Sequence, residues 1–230
     1  MQFTEKVRSG FSSRAVFDSR YDCPLMEKFA AAPDSVLRDS GHVLKHDRTT
    51  TVAKIDDDDL AWVVKRYNTK NAWHAIRRTL RRSRALNCWE MSGQFLAAGI
   101  PVPAPIGYME KTLGPLRGRS YFLYEYIDAQ DLLSYVKTGK EPDGFDIVLQ
   151  EIIALFRAFR TSGINHGDMK ATNILVEADR RLKLLDLDAA RKTGHTEAFE
   201  RGYSRDRARF LKNWQNDPDL QDRFDSVLPR

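Results

Sequence analysis

Only two cysteines occur in 230 residues, Cys23 and Cys88. They form no metal-ligand pattern and no disulfide framework, so two free thiols in a reducing compartment are expected. Long apolar runs are also missing. The longest uncharged stretch, Met91 to Met109, contains Pro101, Pro103, Pro105 and three glycines, which excludes a membrane-spanning helix. The opening MQFTEKVRSG has no apolar segment of the kind a secretory signal needs, and a cytoplasmic protein is expected. There is no internal repeat and no low-complexity tract. Acids are absent from residues 60–89, a window that carries eight basic residues. The formal net charge is +5, so the remainder of the chain is −3. A uniformly basic nucleic-acid coat is therefore disfavoured, and no nucleic-acid partner is expected.

What is present is ordinary for a globular chain. Hydrophobic residues make up 42% and charged residues 30%. The length suits one compact domain or two small lobes. Residues 1–35 are weakly periodic and stay unassigned. Gly41 to Lys65 reads as strands, with Thr49 to Ala53 β-branched and Ala61 to Lys65 apolar. Asp56–Asp59 between them reads as a solvated hairpin turn, since no spaced calcium-loop pattern follows. Residues 71–98 read as helix in two pieces, with Arg77/Arg81 and Arg78/Arg82 four apart, closed by Gly99. Ser120 to Ile127 is an aromatic-rich strand. A helix capped by Asp143 follows, with Ile147, Val148, Ile152, Leu155, Phe156 and Phe159 as apolar positions, and Gly163 closes it. Ile174–Val176 and Leu182–Leu185 form a hairpin, and Ser204 starts a final helix. Strands early and helices late give an α+β chain.

The segment richest in chemistry is His166-Gly167-Asp168-Met169-Lys170-Ala171-Thr172-Asn173. The hairpin after it returns to Asp186. An Asp, an Asn and a second Asp are thereby brought towards one point, which suits a hard cation such as Mg²⁺. Asp168 can accept a proton from a hydroxyl nucleophile.

These residues resemble the protein-kinase-like superfamily, whose catalytic loop runs His-x-Asp-x-x-x-x-Asn and is followed by an Asp-led metal motif. Here those are HGDMKATN and Asp186-Leu187-Asp188. Val63-Val64-Lys65 looks like the family's lysine strand, and Glu90 is the one acid between Asp59 and Glu110. Together with GIPVPAPIGYME, SYFLYEYI and LLDLDAAR, the chain is similar over roughly residues 40–215 to the lipopolysaccharide core kinases, which phosphorylate heptose or Kdo sugars of the inner core.

The resemblance implies a two-lobed protein-kinase-like fold, with a β-rich lobe over 1–126 and a mainly helical lobe over 127–230. It implies ATP and Mg²⁺. Asp168 is the catalytic base and Lys170 neutralises the transferring phosphate. Asn173 and Asp186 bind the metal. Lys65 holds the α- and β-phosphates, Glu90 orients it, and Glu125 lies near the adenine. No glycine-rich loop is present. Its place falls at His46–Thr51, where hydroxyls and amides of Thr49 and Thr50 are left to do that work. Only 42 residues follow Asp188, with no Ala-Pro-Glu segment, so a small-molecule or glycolipid acceptor is expected. The implied setting is the cytoplasmic face of the inner membrane, with the arginine cluster meeting an anionic membrane surface. Open alternatives are a kinase for another small-molecule sugar, of the aminoglycoside-phosphotransferase type, and a pseudokinase binding module.

Overall fold

A computed structural model of the chain describes residues 4–10, 12–57, 60–68, 82–113, 116–137 and 144–230. Asp58, Asp59, Arg77, Arg78, Arg81 and Asp143, on which parts of the reading above fall, lie outside the described residues. Two compact units emerge. One comprises Met1–Gly93 and Ala104–Tyr126, the other Gln94–Pro103 and Ile127–Arg230.

The first unit is built on a seven-stranded sheet in the order β1-β2-β6-β7-β5-β4-β3. Its strands are β1 (Glu5–Gly10), β2 (Ser13–Asp18), β3 (Gly41–His46), β4 (Thr50–Asp57), β5 (Leu60–Tyr67), β6 (Pro105–Leu113) and β7 (Leu116–Glu125). Every neighbouring pair is antiparallel. Side chains alternate across such a sheet, so Trp62 and Val64 share one face and Lys65 takes the other. Trp62, Val64, Phe17, Ile55, Tyr121 and Leu123 join a core with Met26, Phe29 and Leu37 from two short helices. Those helices are α1 (Pro24–Ala31) and α2 (Pro33–Ser40), each with proline in its first turn, where a missing N–H costs nothing. Residues left unassigned by the sequence thus supply two strands and two helices. The signal was weak because β1 is mostly exposed and has no alternation, and each helix runs only 8 residues.

One acid ties α2 to the sheet. Asp34 accepts hydrogen bonds from Tyr121 Oη at 2.9 Å and Arg119 Nη1 at 2.8 Å. Arg66 Nη1 and Lys111 Nζ both stand at 3.3 Å. Burial pushes the Asp34 carboxyl up, but Tyr121, Arg119 and Lys111 outweigh it and bring it down to about 2. Helix α3 (Arg84–Ala97) completes the unit, its last turn counting with the second unit.

The second unit centres on α5 (Phe145–Ser162). Both of its ends are left-handed glycines, Gly144 at φ 79° and Gly163 at φ 65°, where a side chain would be strained. Val148, Ile152, Leu155, Phe156 and Phe159 are buried as expected, but Ile147 is 56% exposed. The buried face instead recruits Leu149 and Ile153. Phe156 stacks edge-on with Phe159, Tyr203 and Phe210. Losing one such ring costs a filled core about 3–5 kcal/mol. Around α5 lie β8 (Gln130–Asp131), α4 (Leu132–Lys137), β9 (Ile164–Asn165), β10 (Ile174–Val176), β11 (Leu182–Leu184) and β12 (Arg191–Lys192). The expected hairpin is β10–β11, with Ile174 opposite Leu184. Two helices close the chain, α6 (Glu197–Lys212) and α7 (Pro218–Val227). Ser204 does not start α6. Thr196 does, its hydroxyl accepting the Phe199 N–H at 3.2 Å, and Ser204 lies in mid-helix. Among the described residues no helix is long and apolar enough to cross a membrane.

Candidate active site

In the second unit, the chain leaves α5 at Gly163 and enters the loop through β9, which pairs with β12. His166 is fully buried. Asp168 N–H donates to its Nδ1 at 3.2 Å, so that nitrogen is unprotonated. Its Nε2 stands 2.8 Å from the Leu185 carbonyl and must carry the proton. Burial pushes the His166 pKa down, and the neutral ring is the form this arrangement requires. The imidazole therefore props the loop against the segment carrying Asp186. Gly167 sits at φ 82°, and a Cβ there would meet the Ala189 carbonyl oxygen at 2.5 Å. Only glycine fits.

Asp168 is the next residue. Lys170 Nζ donates to its Oδ2 at 2.8 Å, and the Arg209 guanidinium pairs with its Oδ1. Burial raises this carboxyl, but Lys170 and Arg209 overcome that and hold it below the usual carboxylate range. Asn173 Nδ2 donates to the Asp168 carbonyl at 2.9 Å, so its side-chain oxygen is the atom that could meet a cation. The Leu185 N–H donates to the Asn173 carbonyl at 2.8 Å, so the residue before Asp186 is stitched to Asn173. Asp186 itself takes a left-handed conformation at φ 63°, uncommon for a residue with a Cβ. Asp168, Lys170, Asn173 and Asp186 are thus gathered by one hydrogen-bonded loop and hairpin.

Two residues of this site escaped the sequence reading. Asp206, 3% exposed, accepts the N–H groups of His166 and Gly167 at 2.8 and 2.9 Å. Arg209 reaches Asp168 from the same helix. The signal was available: Asp206 lies three residues after Tyr203 and seven after Phe199, on the apolar stripe of α6. Starting that helix at Ser204 hid the stripe.

In the first unit, Lys65 is 9% exposed on β5, opposite Val52 of β4 and Phe122 of β7. Its ammonium lies 5.5 Å from the centre of the Tyr67 ring. Glu90 on α3 is paired with Arg82. The turn between β3 and β4 holds Thr49 and Thr50. There Asp47 Oδ1 accepts from Thr49 N at 2.7 Å, Thr50 N at 2.8 Å and Thr49 Oγ1 at 2.9 Å. The amides expected to face phosphate already hold a carboxylate. Thr51 Oγ1 is likewise engaged, with His46 Nδ1 at 3.0 Å and Arg66 Nη2 at 3.1 Å. Glu125 accepts a hydrogen bond from Tyr21 Oη. The N–H groups of Glu125 and Tyr126 go to the carbonyls of Ala104 and Ala61.

The donor set can be tested for a metal. Among the described residues no three or more His, Cys, Asp or Glu side chains group to hold one. An Asn–Asp pair supplies two oxygen ligands, which fits a small hard cation that keeps water and phosphate oxygens for its other positions.

Comparison with known proteins bears on the family and the fold. A family model described as "Lipopolysaccharide kinase (Kdo/WaaP) family" matches residues 34–220. A 3-deoxy-D-manno-octulosonic acid kinase of Vibrio parahaemolyticus is 33% identical over 100 residues, covering 43% of this chain and 40% of that protein. The stress-activated protein kinase JNK of Drosophila melanogaster is 33% identical over 76 residues, covering 33% of this chain and 20% of that protein. The matches therefore span less than half the length of either curated relative. Among solved structures, WaaP in complex with acyl carrier protein aligns with a TM-score of 0.66 at 18% identity, over 94% of this chain and 90% of that one. This likeness gives the fold: α+β and protein-kinase-like.

Proposed function

The chain belongs to the lipopolysaccharide kinase (Kdo/WaaP) family, and from that premise we propose that it moves the γ-phosphoryl group of ATP to a hydroxyl of a lipopolysaccharide inner-core sugar. The observation that carries this reading is the Asp168 carboxylate, held between two cations, with Asn173 hydrogen-bonded to the backbone carbonyl of the same residue. Asp168 orients the acceptor hydroxyl and takes its proton as the acceptor oxygen bonds to the γ-phosphorus. The bond from that phosphorus to the bridging oxygen breaks, and ADP leaves. Lys170 offsets charge on the transferring group. Lys65 binds the α- and β-phosphates, with Glu90, Thr49, Thr50 and Glu125 as further nucleotide-side residues. Asn173 Oδ1 and the Asp186 carboxylate hold Mg²⁺, which when bound neutralises phosphate charge. Catalysis then rests on positioning and charge, with little covalent work for the protein. The acceptor is met at the cytoplasmic face of the inner membrane, with the chain peripheral to an anionic surface.

Labelled ATP offered with Kdo-containing core oligosaccharide and with a panel of aminoglycosides tests this. One phosphate added to the oligosaccharide is expected. Transfer to the amino sugars alone would move the protein to the aminoglycoside-phosphotransferase type. A binding module without turnover is the second reading, favoured by Asp47 filling the Thr49–Thr50 amides and by Arg82 holding Glu90. Magnesium-dependent ATP binding with no transfer to any acceptor would support it.

A further inference from the structure

Helix α6 carries a basic face of which the proposed reaction uses only the Arg209 end. Arg201, Arg205, Arg209 and Lys212 are all exposed, at helical spacings of four, four and three. At about 1.5 Å per residue this face runs roughly 16 Å along the surface. The buried residues Tyr203, Asp206 and Phe210 occupy the opposite side. Within the helix, among the described residues, one acid pairs with the row: Glu197, which meets Arg201 at 3.2 Å while 93% exposed. Arg205 Nε donates to the Arg201 carbonyl at 3.1 Å. Helix electrostatics do not account for the row. Cations are favoured in the last turn, which covers Arg209 and Lys212, but Arg201 lies in the half nearer the N-terminus and Arg205 at mid-helix, outside that turn. Nor does the face end in open solvent, because Arg209 pairs with Asp168 while Lys170 holds the other carboxylate oxygen. A line of positive charge thus leads to the base.

We propose that this face of α6 is the docking track for an anionic saccharide acceptor, and that Arg209 is the specificity residue at its inner end, taking an acidic group of the acceptor and releasing Asp168 to the acceptor hydroxyl. The inference rests on the phosphotransferase reading above. Charge complementarity selects the occupant. A saccharide bearing carboxylates or phosphates matches a row of guanidinium groups, whose planar forks bind either anion through two hydrogen bonds. A neutral acceptor would leave Arg209 on Asp168, where it competes with the hydroxyl.

The test uses the full chain and a fluorescently labelled, deacylated core oligosaccharide in three forms: unmodified, carboxyl-methylated and dephosphorylated. Binding is read by anisotropy without ATP, and transfer is read with ATP. R201Q/R205Q should weaken binding of the unmodified form about three- to tenfold, with the loss shrinking as salt rises. Its acceptor KM should rise by more than its kcat falls. Whichever modified form binds the wild type more weakly identifies the acid group, and R209Q should not discriminate against that form. R209K should recover part of the discrimination. Since these are exposed positions, an unchanged thermal midpoint shows that the variants fold. Wild-type binding and acceptor KM in R201Q/R205Q would overturn the proposal. So would equal weakening toward all three forms, or loss of binding to an acidic carrier protein with saccharide binding retained. Oligosaccharide binding that depends on the row, without phosphoryl transfer, would sink the proposed function and leave the track standing.

Discussion

The loop from His166 to Asn173 and the turn from His46 to Thr51 carry the two halves of the proposed chemistry, and they are held in opposite ways. The first is gripped from outside. Asp206 and Arg209 on a distant helix fix its backbone and its carboxylate, and His166 binds it to the Asp186 segment. The second is held by its own Asp47, two residues before Thr49. A loop gripped by remote partners keeps one geometry at the cost of depending on each of them. A turn closed by its own side chain depends less on its surroundings, although Arg66 and Asn68 also reach it, and its own carboxylate uses the donors a ligand would want. Motif reading therefore works better for the first, where the motif is the geometry. It works less well for the second, where side chains choose their partners.

The largest expected effect tests the gripped loop directly. Asp168→Asn keeps the shape and removes the proposed base, so kcat should fall about 10³-fold with folding unchanged. Less than a tenfold loss would mean that the carboxylate only orients the loop. Next comes the remote grip. Asp206→Ala leaves the buried His166 N–H and the partly buried Gly167 N–H without their acceptor, and stability in denaturant should fall by about 2 kcal/mol. The kcat of the folded fraction should drop as well, because the loop backbone loses its anchor. A variant that loses stability yet keeps wild-type kcat would show that the grip serves the fold alone.

These two residues also mark how far the sequence could be read. Asp168, Asn173 and Asp186 stood out because their spacing is set by one loop and one hairpin, both local structures. The helices and strands from Gly41 onward were largely legible for the same reason: α5 shows its apolar face, and β4 and β5 show β-branched and apolar runs. Asp206 was missed because starting the helix at Ser204 hid the stripe it shares with Phe199 and Tyr203, and Arg209 because its pairing with Asp168 exists only in the folded chain. Strand β1 was missed because exposure had erased its alternation, and β2 because four successive residues, Ala15 to Asp18, are buried, which leaves no alternation either. Partners for Glu90 and Glu125 were also beyond reach, since Arg82 is eight residues away and Tyr21 more than a hundred.

In the first unit a remote grip does exist, but at Asp34 and away from the β3–β4 turn. Its carboxyl is brought from 3.8 to about 2 by Tyr121, Arg119 and Lys111 against the cost of burial. A folded value below the unfolded one means that the stabilisation is complete above about pH 4 and fades as pH falls towards 2. Asp34→Asn should therefore cost about 1–2 kcal/mol at pH 7, discounted for partial exposure. The gap to wild type should close as unfolding is measured at lower pH. A gap that stays constant down to pH 2 would show that α2 is held by shape and not by this charge.

The smallest effect addresses the self-closed turn. Asp47→Asn keeps a side-chain oxygen for the Thr49 and Thr50 amides and removes only the charge. If the turn meets phosphates, a carboxylate there repels them, and the substitution should lower the KM for ATP about twofold, the scale of one exposed charge. Asp47→Ala removes the acceptor too, so the turn loses its closure and KM should move the other way. Opposite signs for the two variants would separate the charge of Asp47 from its shape. Equal, unchanged KM values would mean that the turn does not meet the nucleotide, and the contrast between the two loops would then be one between a catalytic element and a structural hairpin.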